Sequence, residues 1–205
     1  VSTAAELCHL SQPAASQAVA GLETYFGTPL FISNRQRSAL TTCGILVERR
    51  TRAAMKHLRD GAKNALREAS DKEVHRQTFE LSVTASQLRN LIAIANAGSF
   101  TVAARTLGLS QPTIHRAARN LEAIAGTPFF TARASGVRLT AAADAFMRGA
   151  KLAQNEIRQA VEDISRENGV ERGTFVLGSL PLARTAIVPK AIHAMVSNVE
   201  GFQVR

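Results

Sequence analysis

Side chains with strong hydrogen-bonding groups are concentrated between residues 110 and 119. The run contains Ser110, Gln111, Thr113, His115, Arg116 and Arg119. The amide of glutamine and the guanidinium of arginine can each form two parallel hydrogen bonds to one flat polar partner. These residue types therefore suit recognition of a flat polar edge better than they suit bond-breaking chemistry.

Signatures of catalysis are lacking in the sequence. We find no Gly-rich phosphate loop, metal-ligand cluster or nucleophile motif, and the histidines at 9, 57, 75, 115 and 193 have no ligand spacing. Cys8 occupies the apolar position that Leu107 fills in a second copy of the same pattern, so a buried, reduced thiol is expected rather than a disulfide with Cys43. We expect no enzymatic activity, no cofactor and no bound metal.

The composition favours a folded protein with an anionic partner. The chain has 205 residues, 45% of them hydrophobic, and 25 Lys and Arg against 16 Asp and Glu give a net charge of +9. An excess of this size suits a polyanion, although many proteins share it. We see no signal peptide and no membrane-spanning run, so an intracellular, cytoplasmic location is expected. The chain opens on Val1 within a motif, which suggests a fragment or a processed product.

One stretch of sequence occurs twice. Residues 4–31 read AAELCHLSQPAASQAVAGLETYFGTPLF and residues 103–130 read AARTLGLSQPTIHRAARNLEAIAGTPFF. Ser11 aligns with Ser110, an offset of 99 residues that needs no gap as far as Leu40-Thr41 and Leu139-Thr140. We therefore expect two copies of one structural unit, the first repeat (residues 4–41) and the second repeat (residues 103–140).

Helix-capping signals surround the second repeat. Thr84 and Gln87 have the spacing of a capping box before a helical stripe over residues 86–97. Thr101 is expected to cap a short second helix that ends at Gly108. Helix, turn with glycine and capped helix form the helix-turn-helix arrangement.

The third helix has the clearest boundaries. Ser110 can cap it, Pro112 fits its first turn, and Gly126 ends it. Its apolar positions, with those of the preceding turn, predict a core of Leu107, Leu109, Ile114 and Leu121.

Two further elements follow each third helix. Short apolar strands around a basic tip, as in Phe129–Leu139, predict a wing. Thr140 then begins a long helix whose apolar residues Phe146, Ala150, Ala153, Ile157, Ala160 and Ile164 form a heptad seam that needs a partner helix. The first repeat is followed by a similar seam of Met55, Leu58, Ala62, Ala65 and Ala69.

The predicted fold class is mainly α, with two winged helix-turn-helix domains, each followed by a long linker helix, and the start of an α/β domain. The boundaries are 1–44 (first winged domain, its first helix missing), 45–69 (linker helix), 70–82 (polar linker), 83–142 (second winged domain), 143–168 (linker helix) and 173–205 (α/β start). Because the first helix of the first winged domain is missing, Leu7, Val19 and Leu22 are expected to lack the apolar side chains that would otherwise cover them.

The ordered pattern resembles the LysR-type bacterial transcriptional regulators. In the second repeat it comprises Ala103, Ala104, Leu107, Ser110-Gln111-Pro112, Leu121-Glu122, Gly126, Pro128, Phe130 and Leu139-Thr140. In the first it comprises Ala4, Ala5, Ser11-Gln12-Pro13, Leu22-Glu23, Gly27, Pro29, Phe31 and Leu40-Thr41. Residues 173–192 resemble the first strand, loop and helix of the family's effector-binding domain. The chain departs from the family in having two winged domains and in ending early in the effector domain. A third departure is Ala143, where Gly44 in the first copy has the family's glycine.

The resemblance implies sequence-specific binding to double-stranded DNA, with each third helix in a major groove. In the second repeat, the implied DNA-binding residues are Ser110, Gln111, Pro112, Thr113, His115, Arg116 and Arg119, with Arg133 and Arg138 on the wing. Glutamine can bridge adenine, arginine can bridge guanine and the threonine methyl can touch thymine. The alternative for these positions is a solvated surface, and Arg119 could instead pair with Glu122 or Glu156.

In the first repeat, the implied DNA-binding residues are Ser11, Gln12, Pro13, Ser16, Gln17, Arg35 and Arg37. Its third helix has no Lys or Arg, so its positive charge lies on the wing tip and the long helix. The second repeat is therefore expected to discriminate sequence, and the first mainly to anchor the protein through the DNA backbone.

Several alternatives remain open at this stage. The linker helices could pair within one chain, as a pseudo-dimer, or between chains, as a homodimer. The whole could be an interaction module in which the first copy no longer reads DNA. A small-molecule effector is implied for the intact protein, with Ser179 the candidate contact or simply a helix-start residue before Pro181.

Overall fold

The computed structural model describes residues 2–8, 10–34, 37–67, 79–134, 136–169, 173–175, 186–198 and 202–204. The chain divides into two compact units, the first comprising residues 1–50 and 158–205 and the second residues 51–157. The first repeat lies in the first unit and the second repeat in the second unit. Each unit is described by itself.

Helices predominate among the described residues. Those up to residue 82 form α1 (Ser2–Leu7), α2 (Gln12–Phe26), β1 (Phe31–Asn34), β2 (Arg37–Leu40), α3 (Thr42–Ala65) and α4 (Phe79–Ser82). The second repeat and its neighbours form α5 (Ala85–Ala97), α6 (Phe100–Leu107), α7 (Gln111–Ala125), β3 (Phe130–Arg133), β4 (Gly136–Leu139) and α8 (Ala141–Glu167). The C-terminal elements are β5 (Gly173–Phe175), α9 (Ile187–Asn198) and β6 (Phe202–Val204).

The helix starts in the second unit follow local hydrogen bonds. At α5, the Thr84 hydroxyl accepts the Gln87 amide at 3.2 Å and the Gln87 side chain accepts the Thr84 amide at 2.8 Å, which confirms the capping box. The predicted Thr101 cap of α6 is wrong, because Ser99 is the cap and its hydroxyl accepts the Val102 amide at 3.4 Å. The earlier start places Phe100 inside α6, where its ring packs against Phe130 at a centroid distance of 5.5 Å.

The core of the second unit is built from large apolar side chains. Phe79, Phe129 and Phe146 are fully buried, with ring centroids of Phe79 and Phe146 4.7 Å apart. Phe79 corrects the prediction that residues 70–82 are a polar linker, because this aromatic ring joins the core while residues 70–78 lie outside the described ranges. Burying a ring of this size stabilises a fold by about 2–3 kcal/mol.

The long helices pack closely within the second unit. A Cβ added to Gly149 of α8 would lie 2.6 Å from the His57 carbonyl oxygen and 3.0 Å from the Cα atom of Gly61, both in α3. Because residue 57 also faces Glu156, with 3.8 Å between His57 Nε2 and Glu156 Oε1, the two helices run antiparallel here. The seam residues Leu58, Ala62, Ala65, Phe146, Ala150 and Ala153 are buried, as predicted.

Within the first unit, the other ends of α3 and α8 also meet. Val47 and Ile164 are buried in one cluster with Leu30 and Cys43. Arg50 Nε donates to Asp163 Oδ2 at 2.8 Å, and its guanidinium also contacts Gln159. Burial would raise the pKa of Asp163, but its hydrogen bonds and charge interactions with Arg50 and Arg166 outweigh burial and hold that pKa below its ordinary value.

The apolar side of α2 is poorly covered. None of its residues is buried. Of the three residues expected to lack a cover, Leu22 of α2 and Leu7 of α1 are 48% and 78% exposed, as predicted, whereas Val19 of α2 is half-buried. Cys8 is exposed and corrects the prediction of a buried thiol, whereas Cys43 is buried and unpaired. The reason is that Leu107, at the position equivalent to Cys8, packs against the cluster around Ile94 of α5, and no described residue takes that place beside Cys8.

The C-terminal residues form a small parallel pair. Gly173, Thr174 and Phe175 pair with Phe202, Gln203 and Val204, and α9 lies between the two strands in sequence. Strand, helix and strand were predicted in this order, at 174–178, 181–196 and from 202 onward. That they begin an effector-binding domain stays a prediction.

Candidate nucleic-acid interface

Helix α7 divides into a buried apolar side and an exposed polar side. Ile114, Ala118, Leu121 and Ala125, spaced by three or four residues, are at most 5% exposed. The side chains outside this stripe are exposed at Gln111, Thr113, Arg116 and Arg119, as are Ser110 and Pro112 at the start of the helix. The sequence-predicted residues are therefore brought together on one accessible surface.

The start of α7 is fixed by its cap. The Ser110 hydroxyl accepts the Thr113 amide at 3.3 Å and lies 2.8 Å from the Thr113 hydroxyl, which confirms Ser110 as the N-cap. Gly126 ends the helix with φ 65°, a left-handed conformation that glycine adopts without strain. In the first turn, the amides of Thr113 and Ile114 donate to Ser110 and Pro112 has no N–H, so the Gln111 amide is the one these bonds leave for an anion.

The candidate base-contacting side chains differ in their freedom. Arg116 makes no hydrogen bond or ion pair with any residue in the described ranges. Arg119 donates to Glu122 at 2.8 Å, so of its two possible partners the structure selects Glu122 over Glu156. His115 is half-buried, with its ring centroid 4.1 Å from that of Phe100. Arg116 is thus the cation of α7 most available to a ligand.

Glu122 joins α7 to the following strands, a role that the sequence reasoning missed. Its Oε1 accepts the amides of Phe129 at 2.8 Å and Phe130 at 3.1 Å, and its side chain is 10% exposed. In the first repeat, Glu23 accepts the amides of Leu30 at 2.8 Å and Phe31 at 3.3 Å. A glutamate at the same place in both repeats, eight residues before the first residue of a strand, was the available signal.

The predicted wing of the second repeat is an antiparallel ribbon of β3 and β4, with Thr131 opposite Arg138 and Arg133 opposite Gly136. Arg133 and Arg138 are exposed, and neither makes an ion pair with a described residue. They border an open cleft of about 690 Å³ that Lys151 and Asp144 also line. Because Arg133, Arg138 and Lys151 outnumber Asp144 in the lining, the cleft carries a net positive charge.

The first repeat has the same scaffold with a different surface. Ser11 caps α2 by accepting the Ala14 amide at 3.3 Å, and Gln12, Pro13, Ser16 and Gln17 are exposed. Arg37 lies in β2, opposite Asn34, while Arg35 lies outside the described residues. Ser179, the candidate effector contact, also lies outside them.

One predicted core residue is wrongly placed. Leu109 is 42% exposed, whereas Ile114 and Leu121 are fully buried as predicted, and Leu107 is half-buried and packs against the cluster around Ile94. Leu109 follows the end of α6 and precedes the Ser110 cap, so it belongs to neither apolar helix face.

No helix in the described ranges has the length and apolarity needed to cross a membrane.

A short helix, a glycine turn and a capped helix with an outward polar face define a helix-turn-helix protein. The model of the family "Bacterial regulatory helix-turn-helix protein, lysR family" matches residues 1–45 and 85–144, just over half of the chain. The chain therefore belongs to the lysR family of bacterial regulatory helix-turn-helix proteins.

The related proteins are named as transcriptional regulators. The HTH-type transcriptional regulator GalR of Pseudomonas putida is 31% identical over 192 residues, which cover 94% of this chain and 47% of GalR. The HTH-type transcriptional regulator PcaQ of Agrobacterium fabrum is 28% identical over 118 residues, covering 58% of this chain and 38% of PcaQ. The chain thus spans less than half the length of these relatives.

Solved structures of similar proteins include one with DNA. The crystal structure of the CbnR DNA-binding domain in complex with DNA shows 36% identity, covers 42% of this chain and 99% of that chain, and has a TM-score of 0.37. Corynebacterium glutamicum OxyR in its oxidized form shows 25% identity, covers 60% of this chain and 38% of that chain, and has a TM-score of 0.39.

Proposed function

We propose that this protein binds double-stranded DNA sequence-specifically and regulates transcription, with α7 inserted in the major groove. The observation that carries the proposal is the polar surface of α7, where Gln111, Thr113 and Arg116 are exposed outside the buried apolar stripe of the same helix. A helix of this kind fits the major groove, in which each base pair presents a distinct pattern of donors and acceptors.

Each exposed group of the second repeat has a role in this proposal. Arg116 bridges O6 and N7 of guanine, Gln111 bridges adenine, and the Thr113 methyl contacts the methyl group of thymine. The Ser110 hydroxyl and the Gln111 N–H, at the N-terminus of α7, bind a phosphate. Arg133 and Arg138 hold the DNA backbone or enter the minor groove. Arg119 contributes less to DNA binding, because its guanidinium is engaged in the ion pair with Glu122.

We propose that the first repeat is a second winged helix-turn-helix that also contacts DNA. This proposal is supported by the match of the family model to residues 1–45. It is also supported by three features that the first repeat shares with the second: a serine N-cap, a glutamate that accepts backbone amides near the next strand, and a two-stranded ribbon. Arg35 and Arg37 supply backbone contacts, whereas Gln12, Ser16 and Gln17 face the bases. The comparisons give no support to the alternative, an interaction module.

We propose that the two linker helices pair within one chain. This is supported by the close approach of Gly61 and Gly149 in the second unit and by the Arg50–Asp163 ion pair in the first. One chain would then carry both DNA readers, where two chains would otherwise be needed. A sedimentation mass of one chain, free and on DNA, is the expected result, and a mass of two chains would contradict it.

We also propose that the intact protein senses a small-molecule effector. In the intact protein, a domain that begins near residue 173 would bind a small molecule, with Ser179 at the cleft. The support is the family itself and the strand–helix–strand order of residues 173–204.

The central experiment compares Arg116→Ala with Arg89→Ala, a control that removes an exposed arginine from α5 of the same unit. Binding is measured on a duplex selected by the wild-type protein from a random pool, and on random duplex. We expect Arg116→Ala to weaken binding to the selected duplex about tenfold to a hundredfold, because a bidentate arginine–guanine contact contributes about 1–3 kcal/mol.

Random duplex should be bound only slightly less tightly, since one charge is lost. Arg89→Ala should affect both duplexes little and alike. Equal losses on both duplexes for Arg116→Ala would refute base reading by α7.

A further inference from the structure

Helices α2 and α7 are held by the same hydrogen bonds at equivalent positions. Both begin at a serine whose hydroxyl accepts an amide three residues on, at 3.3 Å in each, and both end at a glycine with φ of 66° or 65°. In both, one glutamate accepts the amide of the residue just before the next strand at 2.8 Å. Residues 99 apart therefore occupy equivalent places on α2 and α7.

The side chains that project from these places are not equivalent. The pairs are Gln12 with Gln111, Ala14 with Thr113, Ser16 with His115, Gln17 with Arg116, and Ala20 with Arg119. All are exposed except His115, which is half-buried against Phe100. The outer face of α2 thus has amide and hydroxyl groups and no cation, whereas that of α7 has two arginines.

This difference dictates different base preferences. Arginine at position 116 favours guanine, through bonds to O6 and N7, and glutamine at position 17 favours adenine, through N6 and N7. A dimer of identical readers must meet two identical half-sites, because the symmetry of the protein is imposed on the DNA. Two unlike readers on one chain are free of that constraint.

We propose that this chain recognises a non-palindromic DNA site made of two unlike half-sites, a guanine-containing one read by α7 and an adenine-containing one read by α2. The inference rests on the proposed function. Gln111 and Gln12 are common to both readers, so the half-sites share one position and differ where Arg116 and Gln17 reach. The α7 half-site is the more strongly specified, because its reader has the arginine.

The experiment is selection of binding sites from a random duplex pool with three proteins. They are the wild type, a variant in which α2 receives the α7 surface (Ala14→Thr, Ser16→His, Gln17→Arg, Ala20→Arg), and the reverse variant (Thr113→Ala, His115→Ser, Arg116→Gln, Arg119→Ala). We expect unlike half-sites for the wild type, and two like half-sites for each variant, guanine-containing for the first and adenine-containing for the second. Substituting the guanine in the wild-type site should weaken wild-type binding about tenfold to a hundredfold.

Two results would overturn the inference and leave the proposed function standing. One is a wild-type site with two identical half-sites, and the other is sequence preference confined to a single half-site. Failure of the wild type to enrich any sequence would overturn the proposed function itself. Circular dichroism of each variant verifies folding, and using two opposite exchanges keeps the test decisive should one variant not fold.

Discussion

The close packing of Gly149 against α3 allows a sharp test of the linker-helix pairing. The perturbation is Gly149→Ala, and the control is Gly21→Ala in α2, where an added Cβ would meet nothing within 4 Å. Both glycines lie inside helices, so both substitutions gain about the same helix propensity, roughly 1 kcal/mol. Any difference between them therefore reports the space around the new methyl group.

The magnitude follows from the distances at Gly149. The new Cβ would lie 2.6 Å from the His57 carbonyl oxygen, whereas ordinary contacts of this kind begin near 3.4 Å. The helices must separate, and overpacking of this sort costs about 1–3 kcal/mol. We expect Gly21→Ala to stabilise α2 by up to about 1 kcal/mol, and Gly149→Ala to fall below that change by about 1–3 kcal/mol.

Amide hydrogen exchange is the suitable assay, because residue 21 and residue 149 belong to different units and each helix must be followed by its own amides. Protection should rise in α2 of the control and fall in α3 and α8 of Gly149→Ala. Equal gains of protection in both variants would refute the packing of α8 on α3, and with it the main support for pairing within one chain.

Three further outcomes are expected. Asp163→Asn should destabilise the first unit by about 1–3 kcal/mol near pH 7. Because folding lowers the pKa of Asp163, this loss should be complete above about pH 4 and vanish as the pH falls through the lowered pKa. A difference in unfolding free energy that does not change with pH would contradict this. Leu121→Ala should cost about 2–5 kcal/mol, and Leu109→Ala within about 0.5 kcal/mol, since only Leu121 is buried; similar melting temperatures would be evidence against the burial pattern. Arg133→Ala with Arg138→Ala should reduce the slope of log affinity against log salt by roughly two, whereas an unchanged slope would place the ribbon away from the phosphates.

Local signals in the sequence predicted most of the scaffold of the second repeat. The bounds of α7 follow from Ser110 and Gly126, because a cap is a hydrogen bond between residues three apart and needs no distant partner. The choice between Ser99 and Thr101 could not be made in this way, because both residue types can cap a helix. Packing of Phe100 against Phe130 decided it.

Burial that depends on distant parts of the chain could not be predicted from the repeat. Cys8 and Leu107 are equivalent in sequence, yet only Leu107 has the cluster around Ile94 beside it. Phe79 stands in a polar stretch without periodicity, and it is buried because Phe129 and Phe146 surround it. Likewise, the contact of His115 with Phe100 joins residues 15 positions apart and left no local signal.

The hydrogen bonds of Glu23 and Glu122 explain how α2 and α7 can share a scaffold and still present different exposed side chains. Glu23 and Glu122 each accept the backbone amides of the first residue of the following strand and of the residue before it, and each serine cap accepts a backbone amide of its own helix. Backbone groups are present whatever side chains the neighbouring residues have, so the scaffold does not depend on the exposed face. Apart from Arg119, which pairs with Glu122, and His115, which packs against Phe100, substitutions on that face should then change folding stability by no more than about 0.5 kcal/mol each, while changing base preference by about 1–3 kcal/mol. Specificity can therefore diverge between the repeats at almost no cost in stability, which is the physical basis for expecting two unlike half-sites.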